Sequence, residues 1–66
     1  MSIWEELADH PGVEVGFKRL SRERMLFRVC CDVTRVTEEE IEHFTEELEL
    51  DHAEFEILRF KGAATC

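Results

Sequence analysis

The stretch Val36 to Asp51, VTEEEIEHFTEELELD, constrains the fold more than any other part of the chain. Thr37 is placed to cap a helix, its hydroxyl accepting from a first-turn N–H. Glu40, three residues on, can reach back to the Thr37 N–H and complete a capping box. Val36 before the cap and Ile41 after it match a hydrophobic staple. Glu38, Glu39 and Glu40 fill the first turn, where negative charge favours the positive end of the helix dipole. Ile41, Phe44 and Leu48 recur at spacings of three and four, which predicts one apolar stripe facing a core.

The other side of that helix carries charge of one sign. Ten acidic residues and no Lys or Arg lie between Glu38 and Glu56. Glu38–Glu42 and Glu42–Glu46 are like-charge pairs one turn apart, each costing about 0.2–0.5 kcal/mol in an isolated helix. Such a face can serve as a solvated, solubilising surface, as a halophile-style acidic coat, or as a docking surface for a cationic partner.

The helix follows a basic segment. Lys18, Arg19, Arg22, Arg24, Arg28 and Arg35 lie between positions 17 and 35, opposed there only by Glu23 and Asp32. The formal net charge is −8 over 66 residues. That charge disfavours attraction to nucleic acid or an anionic membrane and favours basic partners, while a local basic patch survives.

Two strands are expected within the basic segment. Val13, Val15 and Phe17 alternate with Glu14, Gly16 and Lys18, and Met25, Phe27, Val29, Cys31 and Val33 alternate with Leu26, Arg28, Cys30 and Asp32. A hairpin with three loop residues (Ser21 to Glu23) or five sets Phe17 opposite Phe27, Val15 opposite Val29 and Val13 opposite Cys31. A four-residue loop would expose one strand's apolar face, so the odd lengths are favoured. The missing Gly or Asn at the left-handed loop position favours the longer of the two. The outer face then carries Glu14, Lys18, Arg28 and Asp32, with Gly16, Leu26 and Cys30 between them.

Ser2 can cap a short helix over Ile3 to Asp9, with Glu5 as its matching acid, Trp4, Leu7 and Ala8 as its docking face and Ile3 on the same side as Leu7. His10-Pro11-Gly12 ends it. Residues 53–61 read as a third strand, because aromatic and β-branched residues predominate and a hairpin alone is a poor platform for a helix. The parity shift at Leu58-Arg59-Phe60 calls for a bulge or for burial on both faces. Asp51, Glu54 and Gly62 support a competing helix over the same residues.

The fold class expected is α+β: a short N-terminal helix, then β-β-α-β, with a three-stranded, largely antiparallel sheet packed on one acidic helix. Residues 1–66 form a single small domain, with 62–66 a flexible tail. An apolar fraction of 44%, with five Phe and one Trp, suffices for one small core.

Chemistry is sparse. Cys30, Cys31, His43, His52 and Cys66 could ligate a metal, but none falls in CxxC or HxxxH spacing, so no metal or other cofactor is expected. Adjacent Cys30 and Cys31 are poor disulfide partners, and an odd count suggests a reduced, cytoplasmic protein without a disulfide framework. Met1 to Glu6 brings early acids without an apolar run, so neither a signal peptide nor a membrane span is expected. Acids on a convex helix do not make a carboxylate-pair active site, so no enzyme and no catalytic residues are expected.

The residues point first to a small protein-interaction module, an inhibitor or adaptor whose acidic helix docks on a basic, nucleic-acid-binding surface of a partner protein. Glu38, Glu39, Glu42, Glu46, Glu47 and Glu49 would carry the contact. In size and charge alone the chain is similar to small phage or mobile-element inhibitors. One alternative is a self-associating structural or accessory subunit, a homo-oligomer in which hairpin meets helix or sheet edges pair. Another is nucleic-acid binding through the 17–28 hairpin, using Lys18, Arg19, Arg22, Arg24 and Arg28.

Overall fold

The computed structural model describes residues 2–62. The elements run α1 (Ile3–Asp9), β1 (Val13–Arg19), β2 (Met25–Asp32), α2 (Glu38–Leu50) and β3 (Phe55–Phe60). The sheet order is β1-β2-β3, and the architecture is the expected α+β.

The hairpin adopts the register that parity requires: Phe17 opposite Phe27, Val15 opposite Val29, Val13 opposite Cys31. The Leu20 N–H donates to the Arg24 carbonyl across Ser21 to Glu23, and the strands themselves stop at Arg19 and Met25. Both odd loop lengths describe this one register. β2 ends at Asp32, so Val33 lies outside the strand and is exposed.

The sheet is mixed where the sequence led us to expect it largely antiparallel, because β3 pairs parallel to β2. A parallel partner needs a long crossover, and α2 supplies it by carrying the chain back to the end where β2 began. β3 is one unbroken strand with no bulge, its register running from Phe27–Phe55 to Asp32–Phe60. Both its faces are used instead. Phe55 and Ile57 pack against the core, and Arg59 on the same face reaches Glu38 at the start of α2. The alternating partners Leu58 and Phe60 face the other side.

The core lies between the sheet and the two helices. Ile41, Phe44 and Leu48 of α2 are all at most 1% exposed, and they meet Val13, Val29, Cys31 and Val36. Burying each such side chain fully contributes roughly 1.5–3 kcal/mol. The Thr37–Glu40 capping box forms in both directions. At the other end the His52 N–H donates to the Glu49 carbonyl and the Ala53 N–H to the Leu48 carbonyl, the Schellman arrangement. His52 takes the left-handed position, φ 56°, that glycine usually fills.

α1 docks by its expected side except at Ala8. Ile3 and Leu7 are buried and Trp4 is half-buried, but Ala8 is exposed. Ser2 caps it by accepting from the Glu5 N–H. The Trp4 ring rests on Phe27 with centroids 4.5 Å apart, and its indole N–H donates to Asp51 at 3.0 Å. One side chain thus holds α1 to the sheet and to the end of α2.

The junction where β1 begins, β2 ends and α2 starts is densely hydrogen-bonded. Gly12 sits at φ +86°, and a Cβ there would lie 2.9 Å from the Cβ of Arg35. Its carbonyl accepts from the Asp32 N–H. Asp32 is 7% exposed, and its Oδ1 accepts from the Thr34 N–H, the Thr34 hydroxyl and the Gly62 N–H. Asp32 was expected on the solvent face of the hairpin. The turn folds donors over it, so it is a buried acceptor. Gly62, expected at the start of a flexible tail, is tied down by that bond; the rest of the expected tail, 63–66, lies outside the described residues.

Candidate functional site

The six helix carboxylates singled out from the sequence do not form one group. Helical spacing sets Glu38, Glu39, Glu42, Glu46 and Glu49 along one exposed face opposite the core stripe. Glu47 is half-buried and lies one turn after His43, on the flank that faces α1. His43 itself bonds Glu6 of α1 at 3.0 Å.

Two carboxylates at the helix start are engaged within the chain. Glu38 accepts from Arg59 through both oxygens, at 3.0 and 3.1 Å. That bond and the charge of Arg59 hold its carboxyl below the usual range, while Arg59 is raised in turn. Glu40 accepts from the Thr37 N–H and hydroxyl and from His10 Nε2. The Thr37 N–H, then His10, keep its pKa low. Glu39, Glu42, Glu46 and Glu49 have no hydrogen bond or ion pair from a side chain among the described residues. Beside them, at the end of the stripe, Leu50 is 74% exposed and shares a shallow open recess with Glu46 and Glu49.

The cations of the hairpin have gone elsewhere. Arg24 bonds both oxygens of Glu54, at 3.0 and 3.2 Å, and Arg28 pairs with Glu56 at 2.8 Å. Both acids belong to β3 or the residue before it, which lies alongside β2. Arg19 donates to the carbonyls of Ser21 and Arg22 and closes the loop tip. The basic hairpin and the acidic helix are therefore not each other's partners within one chain. The sheet's own acids match the hairpin, and the helix face is left over.

Other candidates resolve as follows. Among the described residues no three His, Cys, Asp or Glu side chains gather as metal ligands would. Cys31 faces the core as a free thiol, pushed up by burial. Cys30 points to the opposite face, as adjacent strand positions must, and is disulfide-bonded, so the fully reduced cysteine set expected from the sequence does not hold. Cys66 lies outside the described residues. His10 donates from Nδ1 to the Pro11 carbonyl and from Nε2 to Glu40. Burial lowers its pKa, but those two acceptors outweigh it and the net shift is upward. With an acceptor at each nitrogen, the imidazolium is the form that satisfies both.

Among the exposed apolar side chains that sequence reasoning missed are Leu50 on the helix and Val15 and Phe17 on β1, with Phe17 68% exposed. Val15 and Phe17 alternate as a core strand would, and nothing local says that the helices stop short of them. No helix among the described residues is long and apolar enough to cross a membrane. No known protein family, curated protein or solved structure matches the chain.

Proposed function

We propose that the chain is a small protein-interaction module whose α2 outer face docks on a basic surface of another protein. The observation that carries this reading is the segregation of charge. Among the described residues Glu39, Glu42, Glu46 and Glu49 stay outside every ion pair, although four Arg residues make bonds elsewhere. Leu50 adds an apolar contact at the end of the same face. Carboxylates steer encounter with a cationic partner, and an exposed leucine supplies area that desolvates on contact.

A row of helix carboxylates can stand in for a phosphate backbone, so a nucleic-acid-binding protein is the partner class that fits best, with occlusion of its groove as the outcome. The alternative of nucleic-acid binding by the hairpin draws less support, because Arg24 and Arg28 are spent on Glu54 and Glu56. A cytoplasmic setting rests on composition, and the Cys30 disulfide counts against a reducing compartment.

The test is titration of an arginine-rich peptide into the protein at low and high salt. Binding that weakens with salt and is lost in a Glu39→Lys, Glu42→Lys, Glu46→Lys triple variant is expected. Equal binding by the triple variant would overturn the reading.

A further inference from the structure

β1 is an edge strand, bonded to β2 on one side only. Its backbone direction can be read from the ends of the hairpin. The Leu20 N–H donates to Arg24, and the Gly12 carbonyl accepts from Asp32. Backbone groups alternate along a strand, so the even-numbered residues of β1 point toward β2. Those of Val15, Phe17 and Arg19 point outward, and no bond among the described residues takes them. The Val13 N–H is used by the His10 carbonyl, which leaves its own carbonyl outward.

We infer that β1 pairs antiparallel with β1 of a second copy of this chain, about a two-fold axis through Gly16, to give a continuous six-stranded sheet. The sequence VEVGFKR complements itself in that register. Gly16 meets Gly16, Val15 meets Phe17, Glu14 meets Lys18, and Val13 meets Arg19. Val15 and Phe17 both carry outward backbone groups, so each such pair exchanges two hydrogen bonds, and the Arg19 N–H finds the Val13 carbonyl. The exposed apolar side chains of the two copies meet on the helix side of the sheet. Opposite charges meet on the other side, where a direct cross-strand pair is favourable.

Two further features support this occupant. The register brings Phe17 of one copy beside Val15 of the other, at an open recess lined by Ala8, Val13, Glu14 and Val15. The other sheet edge does not pair with itself in this way. A two-fold through Ile57 of β3 would set Glu56 against Leu58 and Arg59 against Phe55. One through Leu58 would set Glu56 against Phe60 and Arg59 against Ile57. An edge that the described residues leave uncovered, with apolar side chains on it, is also a hazard that self-pairing removes. The two-fold stands perpendicular to the sheet, so both α2 outer faces lie on the same side of the assembly.

Sedimentation equilibrium from micromolar to millimolar protein tests the pairing. Wild type is expected to dimerise. Lys18→Glu alone sets like charges opposite each other twice, and Glu14→Lys alone does the same, each weakening the dimer about tenfold. Mixing the two variants in equal amounts restores association, because every cross-pair is then Glu against Lys. Phe17→Asp is expected to remain monomeric with native circular dichroism. Gly16→Cys reads the register independently of charge: it cross-links to itself across the axis on mild oxidation. A wild-type monomer at every concentration would overturn the inference. So would a dimer indifferent to Lys18→Glu and Phe17→Asp, or one whose Gly16→Cys variant never cross-links. None of these substitutions touches α2, so the outcome is separate from that of the peptide titration.

Discussion

The two ends of one helical stretch use the same residue type in opposite ways. At the junction of β1, β2 and α2, three carboxylates are engaged by the fold: Asp32 by Thr34 and Gly62, Glu40 by Thr37 and His10, Glu38 by Arg59. One to three turns further along, Glu42, Glu46 and Glu49 receive no side-chain bond among the described residues. Composition treats these acids alike. Position relative to backbone donors separates those that hold the fold from those left over for a partner. The comparison predicts that the junction is costly to alter and the outer face is not.

The sharpest break is Gly12→Val. Positive φ and a Cβ 2.9 Å from Arg35 Cβ force the turn to rearrange. A loss of about 2–4 kcal/mol in a urea or guanidinium melt is expected, a large part of the stability of so small a domain. If the loss is within experimental scatter, the junction is not the tight element described here.

Acid should also act through the junction. Asp32, Glu38 and Glu40 are held below their ordinary values of 3.8, 4.5 and 4.5. Their stabilisation is present above those values and is lost as pH falls through the lowered ones. Asp32→Asn is therefore expected to reduce stability at neutral pH and to flatten the acid limb of a melting-temperature profile. An unchanged acid limb would assign the acid sensitivity to other carboxylates.

Thr37→Ala removes one half of the capping box and should cost about 1 kcal/mol by denaturant melt. Rescue of the cap by Thr37→Ser but not by Thr37→Val would show that the hydroxyl is the cause.

His10 adds a smaller effect of opposite sign to the acids. Its pKa is raised above 6.5 in the folded chain, so its contribution is complete below 6.5 and fades as pH rises through the raised value. Stability should decline modestly across the neutral to mildly alkaline range, and His10→Gln should remove that slope.

The smallest effect is expected on the outer face. Glu42→Lys relieves two like-charge contacts one turn apart and should stabilise the helix by up to about 0.5–1 kcal/mol. A substantial loss instead would mean that this face is held by contacts of its own.

Much of this comparison could be read from residues alone, and the part that could not has a common cause. Thr37 to Glu40, the Ile41–Phe44–Leu48 stripe and the hairpin register are local or periodic, and each appears as expected. The acidic side of the helix could be read only in part, since Glu38 is paired with Arg59 and Glu47 is half-buried. The burial of Asp32 has a local sign in hindsight, since Asp32-Val33-Thr34 can close a side-chain turn. The Gly62 donor that completes it comes from the far end of the chain. The pairing of Arg24 with Glu54, Arg28 with Glu56 and Arg59 with Glu38 had no local sign at all.

What the residues determine by themselves, then, is which segments are helix or strand, which side of each is apolar, and that positive and negative charge are separated along the chain. These depend on caps, on periods of 3.6 and 2, and on loop parity, all of which act over a few residues. Only the tertiary structure decides that β3 runs parallel to β2, because that depends on where α2 delivers the chain. The parallel register in turn sets β3's acids beside the hairpin's arginines and leaves the outer face of α2 unmatched. It also decides that the helices stop short of Val15 and Phe17, so that an alternating core strand becomes an open edge.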